Sequence, residues 1–335
     1  MIETAARPAF IEGRAAPPSV VVVAGPTASG KSAAALHLAE ALNGAIINAD
    51  AMQLYRDLDI LTARPDSAAL ARAPHHLYGI LAVDEPCSAG RYRALALEAI
   101  AAAARAGRLP IVVGGSGLYL RALMHGLAPI PPVPASLRER ARALYDRMGE
   151  AAFRAALAAR DPQSAARIKP GDRQRLMRAW EVVEATGRPL PAWQTLPAQQ
   201  GAARFITVVF LPEREAQYAA CDGRFDRMMA QGGLEEARAI ASRRLDPALP
   251  AMKAVGLRPL LRHLAGEISL IDACDAAKRE TRQYAKRQVT WFRHQLPAHR
   301  VYPAQYSESL NPGILSFISE FLLTTDSRAF ITGSA

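Results

Sequence analysis

The sequence predicts an α/β protein: a parallel sheet with helices on both faces, built around a phosphate-binding loop and carrying a small helical insertion. Three observations predict it. Apolar, β-branched runs alternate with helix-forming stretches, the first run opens into a loop of the pattern Gly, four residues, Gly, Lys, Ser, and a proline-bounded, arginine-rich stretch interrupts the alternation.

Val20 to Ala24 reads as a buried parallel strand, because it is apolar and β-branched without alternation. It leads into Gly25 Pro26 Thr27 Ala28 Ser29 Gly30 Lys31 Ser32, and then into an Ala- and Leu-rich helix from Ala33 to Leu42. Glycines let successive N–H groups turn toward one anion, and the helix adds its positive end. Lys31 would neutralise phosphate charge and Ser32 would place a hydroxyl on Mg²⁺. An ordinary glycine turn is the plain alternative. Asn43-Gly44 stops the helix, and Ala45 to Ala49 forms a second strand ending at Asp50. Gly90 to Ala106 is a helix closed by Gly107, Ile111 to Val113 is a third buried strand, and Gly114 Gly115 Ser116 Gly117 turns into a helix from Leu118 to His125. Ligands of such sheets bind at the carboxyl ends of the strands. The phosphate loop, Asp50 and Ser116 should therefore converge.

Pro129 to Pro134 breaks the pattern, as do Pro189, Pro191 and Pro197. This divides the chain into a core of residues 20–130 and 201–320 and a helical, basic insertion of residues 131–200, with residues 1–19 as a disordered leader. Ile11 Glu12 Gly13 Arg14 in that leader resembles a protease-cleavage linker, and the leader has no apolar segment of a secretory signal. Phe205 to Phe210 resumes the strands. The last long helix runs from Ser269 to Leu296, with Ser269 and Asp272 in capping-box spacing. One of its faces carries Arg279, Arg282, Lys286, Thr290 and Arg293; the other carries Cys274, Ala277, Tyr284, Trp291 and Phe292.

Composition narrows the function classes. At 335 residues and 50% hydrophobic, the chain can bury a large core. Three separated cysteines support neither a zinc site nor a disulfide framework, and a reducing cytoplasm is expected. The longest alanine-rich stretch, Ala94 to Ala106, carries Glu98 and Arg105 and is too short to span a membrane. The formal charge of +10 is concentrated: twelve Lys or Arg against seven Asp or Glu from Pro129 to Gln200, and seven basic residues against Glu280 alone from Lys278 to Arg300. With acidic residues nearly absent at i±4 on the last helix, a polyanionic partner is expected.

A phosphate loop alone is not a function. A motor or GTPase should end an apolar strand with a Mg²⁺-holding Asp, but Ile111 to Val113 ends in Gly114 Gly115 Ser116, and no Asn-Lys-x-Asp sequence is present. Two readings stay open at this point: a small-molecule kinase whose arginine-rich insertion closes over ATP, and a nucleotide-switched RNA-binding protein. Several further segments bear on the choice. Asn48 to Tyr55, Ala73 Pro74 His75 His76 Leu77, and Gly114 to Tyr119 accompany the phosphate loop. Downstream stand Asp172 to Ala179 with Thr186 Gly187, Arg224 with Met228, and Thr281 to Trp291. In this order, from about Val20 to Arg300, the chain resembles the tRNA dimethylallyltransferase (tRNA isopentenyltransferase) family.

The resemblance implies transfer of a dimethylallyl group from its diphosphate to N6 of the adenosine 3′-adjacent to the anticodon. It implies a cytoplasmic monomer with Mg²⁺ as cofactor, and tRNA and dimethylallyl diphosphate as partners. The loop Gly25 to Ser32 would hold the diphosphate, with Arg224 and Thr27 assisting. Asp50 matches the family's general base, and Ser116 would orient the amine. RNA contacts would come from Asp50, Ala51, Met52, Gln53, Ser116, Arg138, Gln174, Arg175, Leu176, Met177, Arg178, Arg282, Lys286, Arg287 and Arg293. From the residues alone, the plainer alternatives are a helix N-cap or a Mg²⁺ ligand for Asp50, a cap on the helix at Leu118 for Ser116, and packing residues for His75 and His76. Some positions depart from the family pattern: Ser116 for the usual Thr, Ala51 for Ser, Leu61 for Gly, Ala220 and Cys221 for Arg-Ile, and Leu257 for an aromatic.

Overall fold

The structure, a computed structural model, describes residues 17–197 and 203–331, the last seven as backbone alone. The expected leader and its Ile11 to Arg14 motif lie almost wholly outside the described residues. The described residues divide into two compact units, one drawn from Met1–Met124 and Gly201–Ala335 and one from His125–Gln200.

In the first unit Ser19–Ala24 (β1) leads through the phosphate loop to Lys31–Ala41 (α1) and Gly44–Asn48 (β2). Ser67–Arg72 (α2), His75–His76 (β3), Ala89–Arg105 (α3), Leu109–Gly114 (β4) and Gly117–His125 (α4) follow. The second unit holds Ala135–Ala158 (α5), Pro162–Arg167 (α6), Arg173–Thr186 (α7) and Leu190–Gln194 (α8). The chain then returns as Arg204–Phe210 (β5), Arg214–Ala230 (α9), Gly233–Ser242 (α10), Leu257–Leu264 (α11), Leu270–Gln295 (α12), Arg300–Tyr302 (β6) and Asn311–Ile331 (α13).

Among the described residues six strands form one sheet in the order β3-β2-β4-β1-β5-β6, and every pairing is parallel. Because side chains alternate along a strand, the valines of β1 divide between two cores. Val20 and Val22 pack with Tyr92, Ala96 and Ile100 of α3 and with α9 to α12. Val21 and Val23 pack with Leu36 and Leu38 of α1 and with Ile314 and Ile318 of α13. Both faces are thus covered by helices, which is why these strands are apolar throughout.

The expected helix signals act as physics requires. Asn43 takes the left-handed conformation after α1 (φ 48°), and Gly107 does so after α3 (φ 67°). Ser269 caps α12, its Oγ accepting the Asp272 N–H at 3.1 Å and donating to Asp272 Oδ2 at 2.6 Å. Taken by itself, the second unit packs α5, α6 and α7 around Phe153, Leu157, Leu176 and Trp180. The long α5 bends sharply at Gly149, where φ is 74°.

Candidate active site

The phosphate loop turns tightly off the end of β1. A Cβ on Gly25 would lie 2.6 Å from Ser29 Oγ and 2.8 Å from Phe210 O, so only glycine fits there. Gly30 (φ 83°) starts α1, and Ala28 is also left-handed (φ 59°). The loop is held from behind by the segment after β6: Tyr306 N–H donates to Ser29 O at 3.0 Å and Gln305 Nε2 to Ala28 O at 3.2 Å. Lys31, the first residue of α1, is only 8% exposed, and its Nζ donates to Pro26 O at 3.1 Å. Burial pushes its pKa down to about 8, against the raising influence of the Asp50 carboxylate and with the Arg224 guanidinium adding to the fall. Ser32 stands next to it, exposed.

Thr27 has all three of its polar groups engaged. Its N–H donates to Gln288 Oε1 at 2.8 Å, its carbonyl accepts from Gln217 Nε2, and its hydroxyl accepts from Arg224 Nη1 at 2.8 Å. Arg224 reaches the other way as well, donating Nη2 to Thr62 O at 3.0 Å. Burial draws its pKa down and the Asp50 carboxylate opposes this, so an arginine is held beside a lysine around one cleft. That cleft, of about 300 Å³, is lined by Ser29, Lys31, Ser32, Asp50, Gln53 and Arg224 among others.

Asp50 arrives from the neighbouring strand. Asn48, the last residue of β2, accepts the Asp50 N–H on Oδ1 at 2.7 Å and donates Nδ2 to Asp50 O and Leu77 O, both at 3.0 Å. Asp50 Oδ1 in turn accepts the Met52 N–H at 3.0 Å and opens a short 3₁₀ turn at Met52–Leu54. Asp50 is not the N-cap of that turn, which is Ala51; one carboxylate oxygen closes an Asx turn, and the residue lines the cleft. Ser116 stands at the N-cap position of α4, but its hydroxyl does not cap the helix. Its Oγ accepts the Ala51 N–H at 2.8 Å, and it is the Ser116 carbonyl that receives Tyr119 and Leu120 N–H. The hydroxyl is a tie across the strand ends, and nearby the half-buried Tyr284 phenol has its pKa raised by burial and further by the Asp50 carboxylate.

Close approach explains the turn after β4. A Cβ on Gly114 would meet the Ala49 backbone at 2.2 Å, one on Gly115 would meet Gln288 Nε2 at 2.4 Å, and one on Gly117 would meet the Trp291 ring at 2.4 Å. Gln288 crosses here, donating Nε2 to Gly115 O at 2.9 Å while its Oε1 holds Thr27. Gln288, Gln217, Gln305 and Tyr306 escaped the sequence analysis as site residues. For Gln288 a signal existed: an amide on the apolar face of α12, one turn after Tyr284, where spacing asks for a hydrophobe.

The residues expected to touch RNA fall into distinct settings. Gln53 Nε2 donates to Thr62 O at 3.0 Å and Ala63 O at 2.8 Å, so it braces the cleft wall; Ala51 and Met52 are half-buried beside it. On α12, Lys286, Arg287 and Arg293 are exposed, and Gln283, Lys286, Arg287 and Thr290 line an open surface hollow. Arg282 differs, with Nη1 2.6 Å from both Asp222 oxygens, and Lys278 lies 2.6 Å from Asp226. The acidic partners missing along α12 are supplied by α9. Within the second unit Arg138, Gln174, Arg175 and Arg178 are exposed and Met177 is half-buried. Leu176 requires correction: it is fully buried beside Phe153 and Trp180, so its side chain is core and is not placed to contact RNA.

Among the described residues no group of three His, Cys, Asp or Glu gathers to hold a metal ion. A hydroxyl and a carboxylate, Ser32 and Asp50, do line the cleft together. That donor set fits Mg²⁺, which takes few protein ligands and completes its octahedron with phosphate oxygens and water.

Comparison with known proteins agrees with this geometry. The family model described as "IPP transferase" matches residues 53–295, and one described as "Isopentenyl transferase" matches residues 18–79. The tRNA dimethylallyltransferase of Parvibaculum lavamentivorans is 55% identical over 305 residues, covering 91% of this chain and 97% of the relative. That of Rhodospirillum centenum is 56% identical over 283 residues, covering 84% and 90%. Among solved structures, the full-length tRNA isopentenylpyrophosphate transferase of Bacillus halodurans matches with TM-score 0.69 and 30% identity, over 94% of this chain and 99% of that one. A eukaryotic dimethylallyltransferase acting on tRNA matches with TM-score 0.71 and 27% identity, over 82% and 70%. A phosphate loop facing a strand-end aspartate, in a chain this similar to these enzymes over nearly its full length, leaves one conclusion: the chain belongs to the tRNA dimethylallyltransferase family.

Proposed function

We propose that this protein transfers a dimethylallyl group from dimethylallyl diphosphate to N6 of the adenosine 3′-adjacent to the anticodon of tRNA. The observation that carries the reading is the single cleft shared by Lys31, Arg224 and Asp50. A prenyl diphosphate needs its leaving group's charge neutralised, and an adenine amine needs to lose a proton; the cleft offers a cationic cradle and a carboxylate for these two tasks.

In the step itself the N6–C1 bond forms as the C1–O bond breaks. Diphosphate departs onto the loop N–H groups, Lys31 and Arg224, and the N6 proton passes to the Asp50 carboxylate. Ser32 would hold Mg²⁺, which would add charge neutralisation on the diphosphate and leave the Asp50 carboxylate to the N6 proton. Ser116 and Asn48 fix the turn that carries Asp50, so the base is positioned before the amine arrives. Target adenines are stacked in the anticodon loop, and the reaction requires this one to be extruded. Exposed Arg and Lys on α12 and in the second unit would take the RNA phosphates.

The test is transfer of label from radiolabelled dimethylallyl diphosphate into purified tRNA without ATP, followed by mapping of the modified base. Wild-type protein should label one adenosine, and Asp50→Ala should lose at least about a hundredfold in rate while still binding tRNA. Label that requires ATP, or that persists undiminished in Asp50→Ala, would overturn the proposal.

A further inference from the structure

A turn spanning residues 59–64 brings Ala63 to the wall of the cleft, and one carboxylate ties it to α10. Glu236, in the first turn of α10, accepts three consecutive backbone N–H groups: Asp59 at 2.6 Å, Ile60 at 2.8 Å and Leu61 at 2.8 Å. Three N–H groups converging on one anion usually mark a ligand site; here the protein fills it with its own side chain. The turn closes with Ala63 in the left-handed conformation (φ 49°) and Thr62 Oγ1 donating to Leu58 O at 2.6 Å.

What this turn presents to the cleft is a pair of carbonyls. Thr62 O accepts from Arg224 Nη2 at 3.0 Å and from Gln53 Nε2 at 3.0 Å, and Ala63 O accepts from Gln53 at 2.8 Å. Arg224 therefore spans from Thr27 of the phosphate loop to a carbonyl whose place depends on Glu236. A guanidinium is planar, so fixing both Nη1 and Nη2 fixes the direction in which its remaining donors point. Leu61, which departs from a glycine pattern, costs the turn nothing: its φ is not positive, and it contributes only its N–H and apolar packing.

We propose that Glu236 is a positioning residue for the transfer reaction: it sets the 59–64 turn, and through Thr62 O it aims Arg224 at the diphosphate. The inference rests on the function proposed above. Glu235 provides an internal control, because it precedes Glu236 in the same helix turn, is exposed, and pairs with Arg238 at 3.9 Å.

The experiment is a double-mutant cycle in the full-length protein, with diphosphate affinity measured by calorimetry using inorganic diphosphate and Mg²⁺, and prenyl transfer to tRNA measured in parallel. Glu236→Gln keeps size but replaces one acceptor oxygen with a donor; it should weaken diphosphate binding and lower kcat by about tenfold, leaving the KM for tRNA within about twofold. In the Arg224→Ala background the same change should cost under about twofold, since the group it aims is gone. Glu235→Gln should match wild type. Glu236→Asp, which keeps the charge, covers the case in which the glutamine variant does not fold, and it should show the same loss with the same dependence on Arg224. Equal losses with and without Arg224, or a loss confined to thermal stability, would overturn the inference. If wild-type protein binds diphosphate but labels no tRNA, the proposed function fails while the cycle still decides Glu236.

Discussion

Lys31 is a charge held where the ligand-free protein is worse off for having it, and Lys31→Met tests that statement. The side chain is 8% exposed, and burial moves its pKa from the ordinary 10.5 to about 8. That difference makes the charged form cost about 3 kcal/mol in the folded chain. Below about pH 8 Lys31 is protonated both folded and unfolded, so the whole cost is present. Between about 8 and 10.5 the unfolded chain holds the extra proton, and stability rises with pH until the cost is gone. Urea unfolding of both proteins from pH 7 to pH 10 should show the variant's advantage shrinking by about 2.5 kcal/mol across that range, other titrations cancelling in the difference. Saturating diphosphate should reverse the order at pH 7, because only the wild type gains the ion pair. A gap that stays flat or widens as pH rises would refute the argument that burial dominates at Lys31.

Two further pairs of variants separate packing from function. Gly114→Ala places a Cβ 2.2 Å from the Ala49 backbone, which cannot swing aside as a side chain can, and should cost about 3 kcal/mol or more in urea unfolding. Gly223→Ala, inside α9 with nothing nearer than Arg227 Nη1 at 3.6 Å, should instead stabilise by about 0.5–1 kcal/mol. Leu176→Ala should lose about 2–5 kcal/mol of stability with the salt dependence of tRNA binding unchanged, as a core residue would. Arg175→Ala, exposed on the same helix, should keep stability but lower the slope of log affinity against log salt by about 1.

The parts of the fold that can be read from the sequence are those whose own residues meet the physical demand. β1, β4 and β5 are buried on both faces, so each had to be an apolar run, and each reads as one. The edges do not. β3 is only His75 and His76, and β6 is Arg300 to Tyr302, largely exposed. Nothing in two histidines or in an arginine asks for a strand; these segments pair because β2 and β5 offer open edges beside them. The two histidines expected to be packing residues are half-buried in that edge, with His75 Nδ1 2.8 Å from Ala73 O. Burial likewise accounts for two departures from the family pattern, since Cys221 and Leu257 are both fully buried hydrophobes.

The same distinction governs the site. Gly25, Gly30 and Gly114 are legible because the backbone itself excludes a side chain at each, by φ or by contact, and such demands leave a local mark. Gln288 answers a demand made elsewhere: a carbonyl 173 positions away and an N–H 261 positions away, both in turns with no spare partner of their own. Gln217 serves a carbonyl 190 positions away, and Glu236 serves three N–H groups about as distant. A buried amide or carboxylate is costly unless its partners are already in place, so these residues follow from the assembled strand ends and cannot precede them in any inference from sequence. The loop announces that an anion is gripped; the side chains that decide how rigidly it is gripped become visible only once the fold has brought their partners together.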